Sequence, residues 1–255
     1  MGCSNSRGDL IERIDQDLLT DFEDQLGFEN TSAETIVKVF RNYSKGGLMT
    51  KNHLNDACAV SKVNLNLKMS FLDSFSNESD FLVKKIICLG ILLAKGEATE
   101  KINLLFETYS NRKFNFLSHF ELEEMITDII EISCIKIPKY VLSLNKQDAS
   151  LRRYVSKISI TVPSMITYHT DIFTETLDRI TLEYFEAKMK NSKLLHLLNT
   201  KSARIIATQM YTNMVKPAEN AMEKAKNMKQ INKKTISYAQ LPSIKTKIAK
   251  SKSII

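Results

Sequence analysis

Apolar residues recur at three-to-four spacing through most of the chain, and four times that rhythm breaks at a short polar stretch before resuming. In TIVKVFRNYSKGGLMTKNHLNDAC, residues 35–58, the spacing predicts a helix ending near Tyr43 and a turn at Gly46 and Gly47. An apolar bridge at Leu48 and Met49 follows, and a second helix opens at Thr50. The second break, FLDSFSNESDFLVKKIICLGILLAKG, has Phe71 and Phe75 before its loop and Lys84 and Lys85 after it. In the third, FETYSNRKFNFLSHFELEEMI at 106–126, Phe106 and Tyr109 lead in. Leu117 sits inside it, and Leu122, Met125 and Ile126 lead out. The fourth, in TLDRITLEYFEAKMKNSKLLHLL, has Ile180 as its bridging apolar residue and Thr181 opening the outgoing helix. Seven glycines and four prolines supply little turn chemistry for a many-stranded sheet, so an all-α fold of four helix–loop–helix units is expected.

Helix, loop, helix with an apolar residue in mid-loop is also the frame of a calcium-binding hand. Such a hand needs side-chain oxygens at loop positions one, three and five, glycine at six and a bidentate glutamate at twelve. From Ser110 to Glu121 those positions hold Ser110, Arg112, Phe114, Asn115 and Glu121, so the closing glutamate alone has the required chemistry, and Arg112 and Lys113 repel a dication. The first loop has no carboxylate between Phe40 and Leu54. The second is about three residues short of a calcium loop, with Lys84 and Lys85 where the closing glutamate belongs and Glu78 and Asp80 as its acids. In the fourth, Asp171, Glu175 and Asp178 fit only a lengthened loop without glycine, and Tyr184 takes the closing position. Degenerate, metal-free loops are expected throughout.

The stretch ILLAKGEATEKINLLFETYS, residues 91–110, resembles the linker between second and third hands in the calcineurin B, neuronal calcium sensor and plant calcineurin-B-like group, and ITLEYFEAKMKNSKLLHLL resembles its closing hand. The resemblance spans roughly residues 30–198 and implies two lobes of paired EF-hand-like units that hold an amphipathic partner helix in a shared apolar groove. Paired helix–loop–helix units leave an apolar face that such a helix can fill. The candidate groove residues are Phe40, Phe71, Phe75, Ile86, Leu89, Leu92, Leu93, Leu105 and Phe106. The expected organisation is a leading segment at 1–30, an N-terminal pair at 31–95, a C-terminal pair at 96–200 and a basic, methionine-rich helix and tail at 201–255.

Both ends of the chain bear on partners. The opening MGCSNS matches N-myristoylation at Gly2, with Cys3 placed for S-palmitoylation, and two chains anchor stably where one binds reversibly. Residues 201–255 carry twelve Lys or Arg against two Glu, while the first 200 carry 24 basic and 27 acidic residues, so the tail supplies the overall charge of +7. Ile206, Met210, Met214, Ala221, Met222, Ala225 and Met228 fall near one helical face interrupted at Pro217. The lysines beyond suit anionic lipid, and nucleic acid is not expected. The four histidines lie in separate segments without metal spacing, and no nucleophile motif or phosphate-cradling glycine loop is present. Cys58, Cys88 and Cys134 lack CxxC spacing and read as reduced core residues. No catalytic residue, metal or cofactor is therefore expected. The sequence points to a non-catalytic adaptor on the cytoplasmic face of a plasma or ciliary membrane. A structural subunit of a ciliary or cortical cytoskeletal assembly, or a weak residual calcium sensor, is the alternative.

Overall fold

The computed structural model describes residues 5–77, 79–110, 115–174 and 179–215, and it is predominantly helical, as the spacing predicts. Met1–Tyr211 form one compact unit, and Thr212–Ile255 form a second of which only the first four residues are described.

A long leading helix, α1 (Asn5–Gln25), buries Leu19 and Phe22 along one face, and Leu26 just past its end is buried too. Helix α2 (Ala33–Asn42) starts where the Ser32 hydroxyl accepts from the Thr35 N–H, and it buries Ala33, Ile36, Val37 and Phe40 at helical spacing. The chain then turns at Gly46 and Gly47, whose φ of 60° and 80° L side chains rarely adopt. Leu48–Met49 form β1, and Thr50 caps α3 (Lys51–Ser61) by accepting from the His53 N–H. After a 3₁₀ turn and a short α4 (Met69–Leu72), the second loop tightens into a hairpin of β2 (Ser76–Asn77) and β3 (Asp80–Leu82). It leads directly into α5 (Val83–Leu93). Strands β1 and β3 pair antiparallel with Leu48 opposite Leu82 and Met49 opposite Phe81.

Helix α6 (Ala98–Tyr109) leads to β4 (Phe116–Ser118) and α7 (His119–Glu131), which passes through a π-helical turn at Ile132–Lys136 into α8 (Ile137–Leu144). The 26-residue α9 (Ala149–Thr174) precedes β5 (Arg179–Thr181), α10 (Leu182–Met189) and α11 (Ser192–Leu195). A last helix, α12, occupies residues 200–215. Strands β4 and β5 pair antiparallel, placing Leu117 opposite Ile180. The bridging residues at all four breaks thus meet two by two, first loop with second and third with fourth.

The helices of the first half approach closely. A Cβ on Gly90 of α5 would lie 2.5 Å from Ile36 Cγ2 and 3.2 Å from Phe28 Cε1, so a side chain there would force α2 and α5 apart. Gly90 admits the contact that buries Ile36, Ile86 and Leu89 completely.

Candidate functional site

Three of the four loop-closing helices, α3, α7 and α10, open on side-chain caps, whereas α5 starts from Leu82 without one. Thr50, Ser118 and Thr181 hold equivalent N-cap positions. At the third break, Glu121 turns back on its own helix, accepting from the Ser118 N–H at 2.8 Å and the Ser118 hydroxyl at 2.9 Å. The Ser118 oxygen in turn accepts from the Glu121 N–H, which completes a capping box. The carboxylate expected to close a calcium loop is therefore committed to the helix start. At the fourth break, Tyr184 stands at the closing position, and its hydroxyl donates to the Phe173 carbonyl at 3.4 Å. Lys188 donates to the Ile172 carbonyl at 3.2 Å, so two side chains of α10 satisfy carbonyls at the described end of α9. Asp171 lies exposed on α9, whereas Glu175 and Asp178 fall outside the described residues, as do Glu78, Arg112, Lys113 and Phe114. Among the described residues, no three His, Cys, Asp or Glu side chains gather as metal ligands.

Lys84 and Lys85 link two helices. Lys84 Nζ lies 2.8 Å from Glu124 Oε2 and 5.1 Å from the centroid of the Tyr109 ring, and Lys85 Nζ lies 3.1 Å from Asp128 Oδ1. The Tyr109 hydroxyl donates to Asp128 Oδ2 at 2.8 Å, so both oxygens of a buried carboxylate are satisfied. Burial raises the Asp128 carboxyl, with Lys85 and Tyr109 opposing it. Burial works to lower Lys85, but the charge and hydrogen bond of Asp128 outweigh it and hold the ammonium above its ordinary value. Burial, joined by Cys88 and Asp128, pushes the Tyr109 phenol well up. The contact of Lys85 with Asp128 thus binds α5 to α7, a cross-link between the two halves of the unit.

The nine groove candidates do not line an open channel. Phe40, Phe71, Phe75, Ile86, Leu89, Leu92, Leu105 and Phe106 are buried, and Leu93 is half-buried. What covers them is the chain itself. The Phe22 ring of α1 meets Phe71 edge-on at 5.2 Å, and Tyr140 of α8 lies 5.3 Å from Phe71 and 5.0 Å from Phe22. Phe75 meets Phe71 at 5.2 Å and carries Lys136 above its ring. In the other half Phe106 packs on Phe185, which stacks on Phe173. Leu92 and Leu93 line a recess of about 170 Å³ together with Glu23, Asp24 and Glu29. Slight burial and the charges of Glu29, Glu23 and Asp21 hold the Asp24 carboxyl above its usual range.

A buried arginine seals this closure. Arg204 of α12 is fully buried. Its Nη1 lies 2.6 Å from Glu23 Oε1 and its Nη2 3.4 Å from Glu23 Oε2, while Nε donates to Gln16 Oε1 at 2.9 Å. Nη1 also reaches the Ser133 carbonyl at 3.4 Å. The local backbone favours this contact. In the π turn the Ile132 carbonyl accepts from Ile137 five residues on, and the same pattern would assign Ser133 to Pro138, which has no N–H. Ala203 and Ala207 beside Arg204 are buried, Ile206 and Met210 pack partly against the core, and Met214 is exposed. Phe22, Tyr140, Gln16, Glu23 and Arg204 were not among the sequence candidates. The Leu19, Phe22, Leu26 spacing was the signal for the first of them, and Arg204 had none.

Cys58, Cys88 and Cys134 are free and buried, as expected, and burial pushes the Cys58 thiol up to about 11 and that of Cys134 to about 12. Gly2, Cys3, Pro217, Ala221, Met222, Ala225 and Met228 fall outside the described residues. No helix of the described chain is long and apolar enough to cross a membrane. No family model, curated protein or solved structure matches the chain.

Proposed function

We propose that this chain is a non-catalytic adaptor of EF-hand-like architecture, tethered to a membrane through Gly2 and Cys3, that holds its paired helices without calcium. The observation that carries the ion-independent part is the capping box of Ser118 and Glu121, which uses the one loop carboxylate of the right type for helix initiation. The pairing of Leu48 and Met49 with Leu82 and Phe81, and of Leu117 with Ile180, supports two lobes of paired hands. The ion pairs from Lys84 and Lys85 to Glu124 and Asp128 supply a fixed link where a sensor would carry a ligand-driven one. The partner remains an amphipathic helix. Because α1 and α8 cover Phe71, such a helix binds either by displacing α1 or on the outside of the closed unit.

The buried Arg204 and Glu23 pair favours a second reading, a structural subunit of a cytoskeletal assembly in which the closed form is permanent. Membrane fractionation separates the two: the adaptor leaves with detergent and the subunit stays with the insoluble skeleton. The calcium-independent core of the proposal is tested by thermal melting with calcium and with chelator. A ligand at 100 times its dissociation constant adds about 2.7 kcal/mol, an easily measured shift. The expected result is coincident melts, and a reproducible calcium-dependent rise refutes the proposal.

A further inference from the structure

The hairpin of α8 and α9 carries charge that none of the contacts above uses. Residues 137–153 contain Lys139, Lys146, Arg152 and Arg153 against one acid, Asp148, in a chain whose first 200 residues are net negative. All four cations are exposed. Arg152 Nη2 donates to the Lys146 carbonyl at 2.6 Å and Arg153 Nε to that of Ala149 at 3.3 Å, so their bonds are to backbone rather than to a carboxylate. Asp148 is turned inward onto the Ser150 and Leu151 N–H groups, where it caps α9. At the apex between the helices, Leu144 is 60% exposed.

Two contacts fix the direction in which this apex points. Tyr140 of α8 packs on Phe22 of α1, and the Ser150 hydroxyl donates to Asp15 Oδ1 at 2.8 Å. Moving from Tyr140 towards the apex therefore runs along α1 from Phe22 back towards its start at Asn5, the end that follows Gly2 and Cys3. Asp15 lies about 15 Å of helix from Asn5, and Ile14 beside it is 54% exposed. Among the described α1 acids, Asp15, which accepts from Ser150, is buried, and Asp17 lies 3.6 Å from Lys201.

We propose that the α8–α9 apex, which carries the exposed Lys139, Lys146, Arg152 and Arg153 and the exposed Leu144, docks on an anionic lipid bilayer. The orientation rests on the tethered reading above, whereas the affinity for anionic lipid does not. Exposed cations without carboxylate partners suit a plane of headgroups, which demands no fixed geometry, and Leu144 offers an apolar side chain to the acyl boundary.

The test uses the full chain, acylated, and phosphatidylcholine vesicles with and without phosphatidylserine. Lys146→Gln with Arg153→Gln should lower partitioning onto phosphatidylserine vesicles about 25-fold, about fivefold per charge, and leave neutral vesicles unaffected. The basic tail is intact in both proteins, so the difference belongs to the hairpin. The same comparison in the Gly2→Ala background separates the two ideas. A charge effect that persists there while Gly2→Ala itself changes nothing sinks the tether and keeps the hairpin. Equal partitioning of variant and parent on anionic vesicles overturns the hairpin proposal. So does a parent protein that binds a polyglutamate peptide as tightly as vesicles and loses both equally on substitution.

Discussion

Replacing Glu23 with glutamine keeps the shape of the side chain and removes its charge, leaving the Arg204 guanidinium fully buried with neutral acceptors only. Deleting one member of a buried ion pair costs about 3–5 kcal/mol, because the other charge stays uncompensated in a poorly polarisable interior. Three features place Glu23→Gln at that end rather than near zero. The contact is bidentate, with the short arm at 2.6 Å, and the other acceptors, Gln16 and Ser133, are neutral. Against a total stability of about 5–15 kcal/mol, the expected fall in melting temperature is about 6–20 °C for a unit of this size. Arg204→Met removes the stranded charge and restores apolar volume, so the double variant should recover much of the loss, with a coupling energy above about 1 kcal/mol in a double-mutant cycle. Asp17→Asn breaks an exposed contact to Lys201 at 3.6 Å and serves as control, with an expected change within about 0.5 kcal/mol. The assay is urea and thermal denaturation of five proteins side by side: the parent, the two single variants and the double variant of the cycle, and Asp17→Asn. If Glu23→Gln costs no more than Asp17→Asn, or if the cycle shows no coupling, Arg204 does not seal the closure of α1 and α12 and the argument fails.

Gly2→Ala should move the protein from membranes to the soluble fraction, whereas Cys3→Ser should leave weak, exchangeable binding, because one acyl chain anchors reversibly; retention of Gly2→Ala after a salt wash would show that something other than acylation holds it. Burial holds the His169 imidazole below its ordinary 6.5, partly opposed by its contact with the Met165 carbonyl and aided by His196. A depressed folded pKa means that the unfolded chain binds the proton more readily, so the contribution is complete above 6.5 and is lost as pH falls from there through the folded value. Urea midpoints of the parent should accordingly fall more than those of His169→Gln between neutral and mildly acid pH, and parallel curves would refute it.

Local physics made the helix boundaries and loop bridges legible from the sequence. Thr50 and Thr181 were readable as helix openers, and Leu48, Met49, Leu117 and Ile180 as bridging residues. A cap acts within three residues and an amphipathic period within one turn, so both are written in contiguous chain. Loop chemistry was legible only in part: Glu121 read as a surviving calcium ligand, yet three residues back stood Ser118, and the reciprocal cap uses the same carboxylate. The groove shows where sequence reasoning stops. Phe71 and Phe75 are apolar wherever they sit, and only the fold decides that Phe22 and Tyr140 cover them rather than a partner. Arg204 is the clearest case. An arginine in an amphipathic helix reads as a solvent-facing residue, because burying a guanidinium is unfavourable without matched acceptors. Those acceptors are Glu23, 181 residues away, Gln16, 188 away, and the Ser133 carbonyl in the π turn before Pro138. Contacts across such separations are set by the packing of α1, the π turn and α12 together, and the burial of one charge becomes favourable only once all three are in place.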